Sequence, residues 1–358
     1  KSIEGLEHLN TSQVTDMGCM FSGCESLTAL DLTSFDTSNV ASMSDIWDDV
    51  GMFSNCKSLT SLDLTSFDTS KVTDMRKMFS GCESLTSLDL SSFDTSVVWG
   101  MSSMFSGCAS LTSLDLSSFD TSKVTGMHAM FSGCASLSAL DLSRFDTSQV
   151  TDMSSMFSGC ASLTALDLSS FDTSKVRDME GMFYDCSSLT SLDLSRFDTS
   201  KVTSMSSMFR GCESLTTIYC NSSWSAGHSD DMFSDCNSLR AATTDVGNSY
   251  DVSMANPQTG YFTKNVLSQE DEAYVHLSAD KKTLTFYFDR ERNVRRCCAW
   301  PPGEVASKEE ITQIVIDESY RNVVPKTTAS WFEGFSAVTE IRGLDNLNTS
   351  EVTDMSRM

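Results

Sequence analysis

The sequence predicts an α/β solenoid: a stack of 26-residue coils, each running strand, turn and short helix, with a parallel sheet on one face and a small β-hairpin segment outside the stack. Three observations predict it. The dipeptide Met-Phe recurs at Met20, Met52, Met78, Met104, Met130, Met156, Met182, Met208 and Met232, and six successive spacings are 26 residues. A fixed period between about 20 and 50 residues is the signature of an array of stacked units. Inside each unit the apolar period switches from two to three or four, and between residues 272 and 289 a separate alternating pattern appears.

One unit, "LTSLDLSSFDTSKVTGMHAMFSGCAS" at residues 111–136, shows both halves. Leu111, Leu114 and Leu116 form L-x-x-L-x-L, the strand half of a leucine-rich repeat, with Leu114 and Leu116 inward at strand period. Val124, Met127, Met130, Phe131 and Cys134 then recur as on one face of a short helix. "DTS" supplies Thr121 or Ser122 as its N-cap. One coil has too few apolar side chains to offset the entropy of ordering it, so coils must stack and bury both sides of every ring.

The unit resembles the BspA-like leucine-rich-repeat surface proteins. Its second half, "FDTSQVTDMSSMF" at residues 145–157, is similar to the repeat of unknown function first described from mycoplasma surface proteins, in which "DTS-x-V-T-x-M-x-x-MF" recurs. The resemblance runs through residues 1–263. It implies a bacterial protein on the cell surface or secreted, adhering to host matrix proteins or to other cells.

Four segments follow along the chain. Residues 1–215 are the repeat array. Residues 216–263 are its C-terminal capping segment, where the Met-Phe step shortens to 24 and Tyr219 and Cys220 replace the Asp and Leu of "LDL". Residues 264–310 are a linker and hairpin, with "EAYVHLS" and "TLTFYFD" alternating around "ADKK". Residues 311–358 are an N-terminal cap and the start of a second array: "ITQIVID" imitates the Leu strand and "WFEGFSAVTEI" imitates "MFSGCASLTSL". "IEGLEHLNTSQVTDM" at Ile3 and "IRGLDNLNTSEVTDM" at Ile341 agree in 11 of 15 positions, so residue 1 falls one capping unit into an array, as in a piece of a longer reading frame.

The formal charge of −24 argues against nucleic-acid and anionic-membrane partners, which are bound chiefly through Lys and Arg. A basic protein partner is the better match, with a glycan or a divalent cation as alternatives. No run of 18 apolar residues exists to span a membrane, and no export signal is present in this segment.

Nine cysteines, from Cys24 to Cys236, repeat in phase. A straight column cannot surround an ion, so no metal site is expected. Neighbouring coils bring Cys Cα atoms within disulfide range, but each position is framed by apolar residues and reads as a buried free thiol, suited to a reducing or anaerobic habitat. Cys297 and Cys298 stand outside this pattern.

Two Asp columns remain. Asp31, Asp63, Asp89, Asp115, Asp141, Asp167 and Asp193 lie between the inward Leu residues, so pleating turns them outward. Like charges in line repel, which calls for a ligand-binding stripe or for a solvated face that blocks sheet aggregation. The second column, in "FDTS", reads as turn capping. Trp47, in the stretch "SDIWDDVG" between Met43 and Met52 with which six extra residues enter, is either a contact residue or folded on its own coil. Trp99 and Trp224 are weaker cases.

No enzyme and no cofactor are expected. His8, His128, His228 and His276 never share a column, and no nucleophile elbow, phosphate loop or zinc-protease motif occurs. The expectation is therefore a non-enzymatic binding solenoid, with the Asp column and Trp47 as contacts. A structural stalk presenting another domain, and a cation- or glycan-binding solenoid, are the alternatives.

Overall fold

The computed structural model describes residues 2–45, 50–243, 249–264, 272–278, 280–289, 298–299, 308–322, 332, 334–347 and 349–350. The chain divides into two compact units, Lys1–Lys264 and Asn265–Met358.

The first unit is a β-solenoid. A ladder of parallel bridges climbs it one residue per coil, through Asp16, Ser42, Asp74, Gly100, Gly126, Asp152, Asp178, Ser204 and His228. Around residue 130 the bonding alternates as in a parallel ladder. Met127, Ala129, Phe131 and Gly133 donate N–H to Asp152, Ser154, Met156 and Ser158 in the next coil at 2.6–3.1 Å, while Met130, Ser132 and Cys134 close three-residue turns within their own coil.

The expected short helix is absent, and the α half of the α/β prediction is corrected here. No α-helix occurs among the described residues, only five short 3₁₀ turns. Two left-handed residues sit in the segment. One precedes Met-Phe (Lys77, Ser103, Ala129 and Ser155, φ 51–57°) and one precedes Cys (Gly81, Gly107, Gly133 and Gly159, φ 72–74°). Left-handed residues four apart break any right-handed helix. They also aim alternate amides at the neighbouring coil instead of at position i−4.

The Leu face departs from expectation as well. Regular parallel strands form at its C-terminal end: β3 (Ser191–Asp193), β4 (Thr217–Tyr219) and β5 (Phe262–Thr263), in that order. Before these, bonds between adjacent Leu segments are long: 3.5 Å for Thr60 N–H to Thr28 and for Thr86 N–H to Thr60. Amide bonds are normally about 2.7–3.2 Å, so the solenoid is laced mainly on its turn side. In chain order ahead of these, the inserted segment carries a short antiparallel pair, β1 (Ser44–Asp45) and β2 (Val50–Gly51).

The core is a set of columns. Leu114, Leu116, Phe119, Val124, Met127, Met130, Phe131 and Cys134 are all buried, as are their counterparts in neighbouring coils. The Phe rings stack with centroids 5.8 Å apart and planes 6–7° from parallel on either side of Phe131. Trp224 closes the C-terminal end, stacked on Phe197 and edge-on to Phe262.

Among the described residues the second unit is a five-stranded sheet in the order β10 (Glu340–Arg342), β9 (Gln313–Ile316), β7 (Thr283–Asp289), β6 (Glu272–Leu277), β8 (Cys298–Ala299). The alternating segments pair as an antiparallel hairpin, β6 (Glu272–Leu277) with β7 (Thr283–Asp289), and β8 (Cys298–Ala299) joins the far edge of β6. The segment "ITQIVID" supplies β9 (Gln313–Ile316), parallel to β7 and to β10 (Glu340–Arg342). Val275, Leu284, Phe286, Ile314, Ile316 and Phe335 are buried in one cluster.

Candidate functional site

The "LDL" Asp column is built by the same local device in every coil. Leu114 and Leu116 are anchored inside, which leaves Asp115 exposed between them. Its Oδ1 then accepts the N–H of Ser117 at 2.9 Å. The same bond recurs from Thr33 to Asp31, Thr65 to Asp63, Ser91 to Asp89, Ser143 to Asp141, Ser169 to Asp167 and Ser195 to Asp193, at 2.9–3.0 Å. Each is an Asx turn that starts the bend after the Leu segment. Thr33 and Thr65 add a hydroxyl bond at 2.7 Å. The hydroxyl and N–H of residue i+2 hold the carboxyls of Asp31 and Asp63 below the ordinary carboxylate range. At Asp115 and Asp141 the N–H of Ser117 and Ser143 is the larger cause of the same shift. The carboxylates therefore line one face with the same local bond, and the column starts the turn after each Leu segment.

The "FDTS" column also caps turns: Asp120 Oδ1 accepts the N–H of Ser122 at 3.0 Å. The residue beside it, expected as a helix N-cap, joins two coils instead. Thr121 is buried; its hydroxyl donates to the Asp146 carbonyl at 2.9 Å and accepts the Asp146 N–H at 2.8 Å. Identical staples join Thr37 to Asp68, Thr69 to Asp94, Thr95 to Asp120 and Thr147 to Asp172. The signal was in plain view as "DTS", but that triplet is equally the start of a helix.

The cysteines from Cys19 to Cys236 are free thiols. From Cys56 to Cys236 each Sγ–H of the column points at a carbonyl of the preceding coil, as in Cys82 to Phe53, Cys134 to Phe105 and Cys160 to Phe131, at 3.2 Å. Burial pushes Cys56 up to about 11 and Cys82 and Cys160 up to about 12. Such thiols are not nucleophiles near neutral pH. Cys297 lies outside the described residues.

Among the described residues no three His, Cys, Asp or Glu side chains converge to hold a metal. The structure does bring His128, Ser154 and Asp152 together: Ser154 Oγ donates to Asp152 Oδ1 at 2.5 Å and lies 2.8 Å from His128 Nδ1. A nucleophilic triad needs the imidazole between hydroxyl and carboxylate. Here the hydroxyl stands in the middle, hydrogen-bonded to the carboxylate.

Trp47 lies outside the described residues. Trp99 is 43% exposed, with the Arg76 guanidinium 5.1 Å from its ring centroid. Arg76 in turn forks onto buried Asp74, Nε to Oδ1 at 3.0 Å and Nη2 to Oδ2 at 2.8 Å. This sandwich fixes an exposed aromatic on the turn side.

These coils define a β-solenoid built of repeated Leu-bearing units. The family described as "Mycoplasma protein of unknown function, DUF285" matches at residues 2–53, 50–140 and 137–250, and the chain belongs to that family. No curated protein sequence matches the chain. Among solved structures, a leucine-rich repeat protein from Bacteroides ovatus ATCC 8483 is similar at 15% identity and a TM-score of 0.31, over 96% of this chain and 78% of that one. No helix among the described residues is long and apolar enough to cross a membrane.

Proposed function

We propose that the array is a non-catalytic protein-binding module of a bacterial surface or secreted protein, which adheres to host matrix proteins or to other cells through the Asp column. The observation that supports this reading is the repeated Asx turn, which presents seven exposed carboxylates, Asp31 to Asp193, in one orientation at coil spacing. Side chains already fixed lose little entropy when a partner with matching Lys or Arg residues docks. Charge complementarity of this kind speeds association and weakens with salt. Trp47, by its place in the acidic insertion, is a second contact, and Trp99 offers an aromatic one on another face.

A second reading is a stalk that presents another domain. It is favoured by the coil-to-coil bonding, in which each unit leans only on its neighbours, so length can grow without limit. Binding of divalent cations or of glycans at the Asp stripe is the third. Matrix proteins, glycans and a polylysine probe, tested with the wild type and an Asp115→Asn/Asp141→Asn/Asp167→Asn variant, separate them. Asn keeps the Asx turn, so the fold survives while the charge goes. At least tenfold weaker binding of a protein partner by the variant is expected. Equal binding removes the Asp column from the mechanism, and a wild type that binds nothing leaves the stalk.

A further inference from the structure

On the turn side, departures from the repeat gather on two neighbouring coils. The position before the bridge ladder is Thr in Thr15, Thr73, Thr125, Thr151 and Thr203, but Trp at Trp99. The ladder itself has glycine at Gly100 and Gly126 alone. Two residues beyond it, between Ser102 and Ser154 of the adjoining coils, stands His128. The side chains are held in place. Arg76, forked onto buried Asp74, covers one face of the Trp99 ring, 5.1 Å from its centroid. Arg76 belongs to the preceding coil, so the open face of the ring turns toward the following one, where Gly126 is a floor without a side chain. Ser154 gives its hydroxyl proton to Asp152, so the 2.8 Å contact between its oxygen and His128 Nδ1 is a bond donated by the imidazole. In the neutral ring Nε2 is then an acceptor, and His128 is exposed.

The window is neutral. Residues 99–102 and 125–128 carry no carboxylate, ammonium or guanidinium, and Asp74 and Arg76 cancel within one pair. A charged ligand finds no counter-charge there, and a cation on the open face would be opposed by Arg76 behind the ring. A protein interface surrounds its aromatic anchor with further apolar contacts. The other exposed large apolar side chains described in the first unit, Ile3, Leu9, Met20 and Tyr250, stand on other coils. What fits is a ligand with an apolar face and neutral hydroxyls at its edge. A hexopyranose has both: C–H bonds that stack on an indole, and O–H groups that donate to an acceptor such as Nε2. His128 lies three residues along and one coil across from Trp99, roughly 10 Å by 5 Å, the span of two linked hexoses. We propose that Trp99, Gly126 and His128 form a binding site for a neutral glycan, with one hexose stacked on the open indole face over Gly126 and a hydroxyl of the next donating to His128. This names the ligand of the Trp99 contact and does not depend on the Asp column.

The test exposes the full chain to an array of neutral glycans, with heparin and oligogalacturonate fragments as charged controls. The best neutral oligosaccharide is then titrated while Trp emission is recorded. Saturable binding that shifts the emission and keeps its affinity from low to high salt is expected, whereas binding at the Asp column weakens with salt. Trp99→Thr and Gly126→Asp should each weaken it at least tenfold. Both keep the fold, because Thr125 and Asp152 already occupy those positions on neighbouring coils. His128→Ser removes one hydrogen bond, a roughly fivefold loss. The Asp115→Asn/Asp141→Asn/Asp167→Asn variant should bind the glycan unchanged, so failure of the Asp-column reading and failure of this one are told apart. A wild type that binds no neutral glycan overturns the proposal, and so does binding that Trp99→Thr leaves intact. Binding of a matrix protein that is lost in Trp99→Thr and is not displaced by neutral oligosaccharide assigns the face to a protein and overturns it too.

Discussion

The two units hold themselves together by different ties. In Lys1–Lys264 the ties run from one coil to the next, as in Thr121 to Asp146, 25 residues on. Among the described residues of Asn265–Met358, parallel pairings such as Thr283 with Gln313 are joined by a local hairpin, in which Leu277 meets Leu284 across a short turn. The hairpin satisfies its backbone locally, whereas alternate amides, the staples and the thiols of a coil find partners in another coil. A repeat is therefore worth little alone, and damage is felt at two interfaces. Ile314 and Phe286, by contrast, sit in a closed cluster of a few side chains.

The largest effect comes from breaking a core column in mid-array. Phe131→Ala removes a ring stacked on two neighbours, at about 3–5 kcal/mol. Because coils couple to neighbours, the unfolding transition of the first unit splits and its midpoint falls, while that of the second is unmoved. Phe286→Ala, at a similar local cost, moves only the second transition. Calorimetry on both variants reads the pair, and a Phe131→Ala chain that unfolds in one sharper step would show a single cooperative body.

Next is the Thr staple. Thr121→Val keeps shape but strips the partner from both the N–H and the carbonyl of Asp146, at about 2–3 kcal/mol. Thr121→Ser keeps the hydroxyl and costs less. Denaturant titration separates the two, and equal losses would mean that the methyl group, not the bonds, matters.

The core columns were legible in the sequence because Leu, Val, Met, Phe and Cys recur at fixed intervals, and burial needs only periodicity. The staples and turns were not. Spacings of three, as in Val124, Met127 and Met130, fit one face of a helix and equally a chain of three-residue turns. What decides is the left-handed pair at Ala129 and Gly133, and only the glycine announces itself. Likewise "DTS" names a capping triplet without saying whether it caps a helix or spans to the next coil. In the second unit the alternation around "ADKK" has one reading, because a strand pairing with its own neighbour leaves no choice of partner.

A smaller contrast concerns alkali. Folded Cys56, Cys82 and Cys160 keep their protons to about pH 11–12, whereas an unfolded thiol loses its proton near 9.0. Their folded pKa is raised, so this stability is complete below pH 9 and is lost as pH rises toward 12. In the second unit the matching buried group is Tyr320, pushed up by burial from an ordinary value of 10.0. Its loss begins about one pH unit later. Circular dichroism during heating at pH 8, 9.5 and 10.5 should show the first unit's midpoint falling first. Cys82→Ala/Cys160→Ala should flatten that fall. An unchanged slope would remove the thiols as its cause.

The smallest effect decides the most about the Asp column. Asp115 is wholly exposed, and its carboxylate both accepts the Ser117 N–H and carries charge. Asp115→Asn keeps an oxygen for that N–H, and Asp115→Ala does not. If the column exists for its turns, Asn leaves the midpoint unchanged and Ala lowers it slightly. If mutual repulsion is the stronger influence at neutral pH, Asn raises the midpoint and the gain shrinks in high salt. A column that is stabilised by losing charge, yet carries that charge in every coil from Asp31 to Asp193, holds it at a cost. A partner that meets the carboxylates, or a need to keep the sheet from aggregating, would return that cost, so a salt-sensitive gain in Asp115→Asn argues that the charge has a use beyond the turn, and a flat response argues that the turn alone explains the residue.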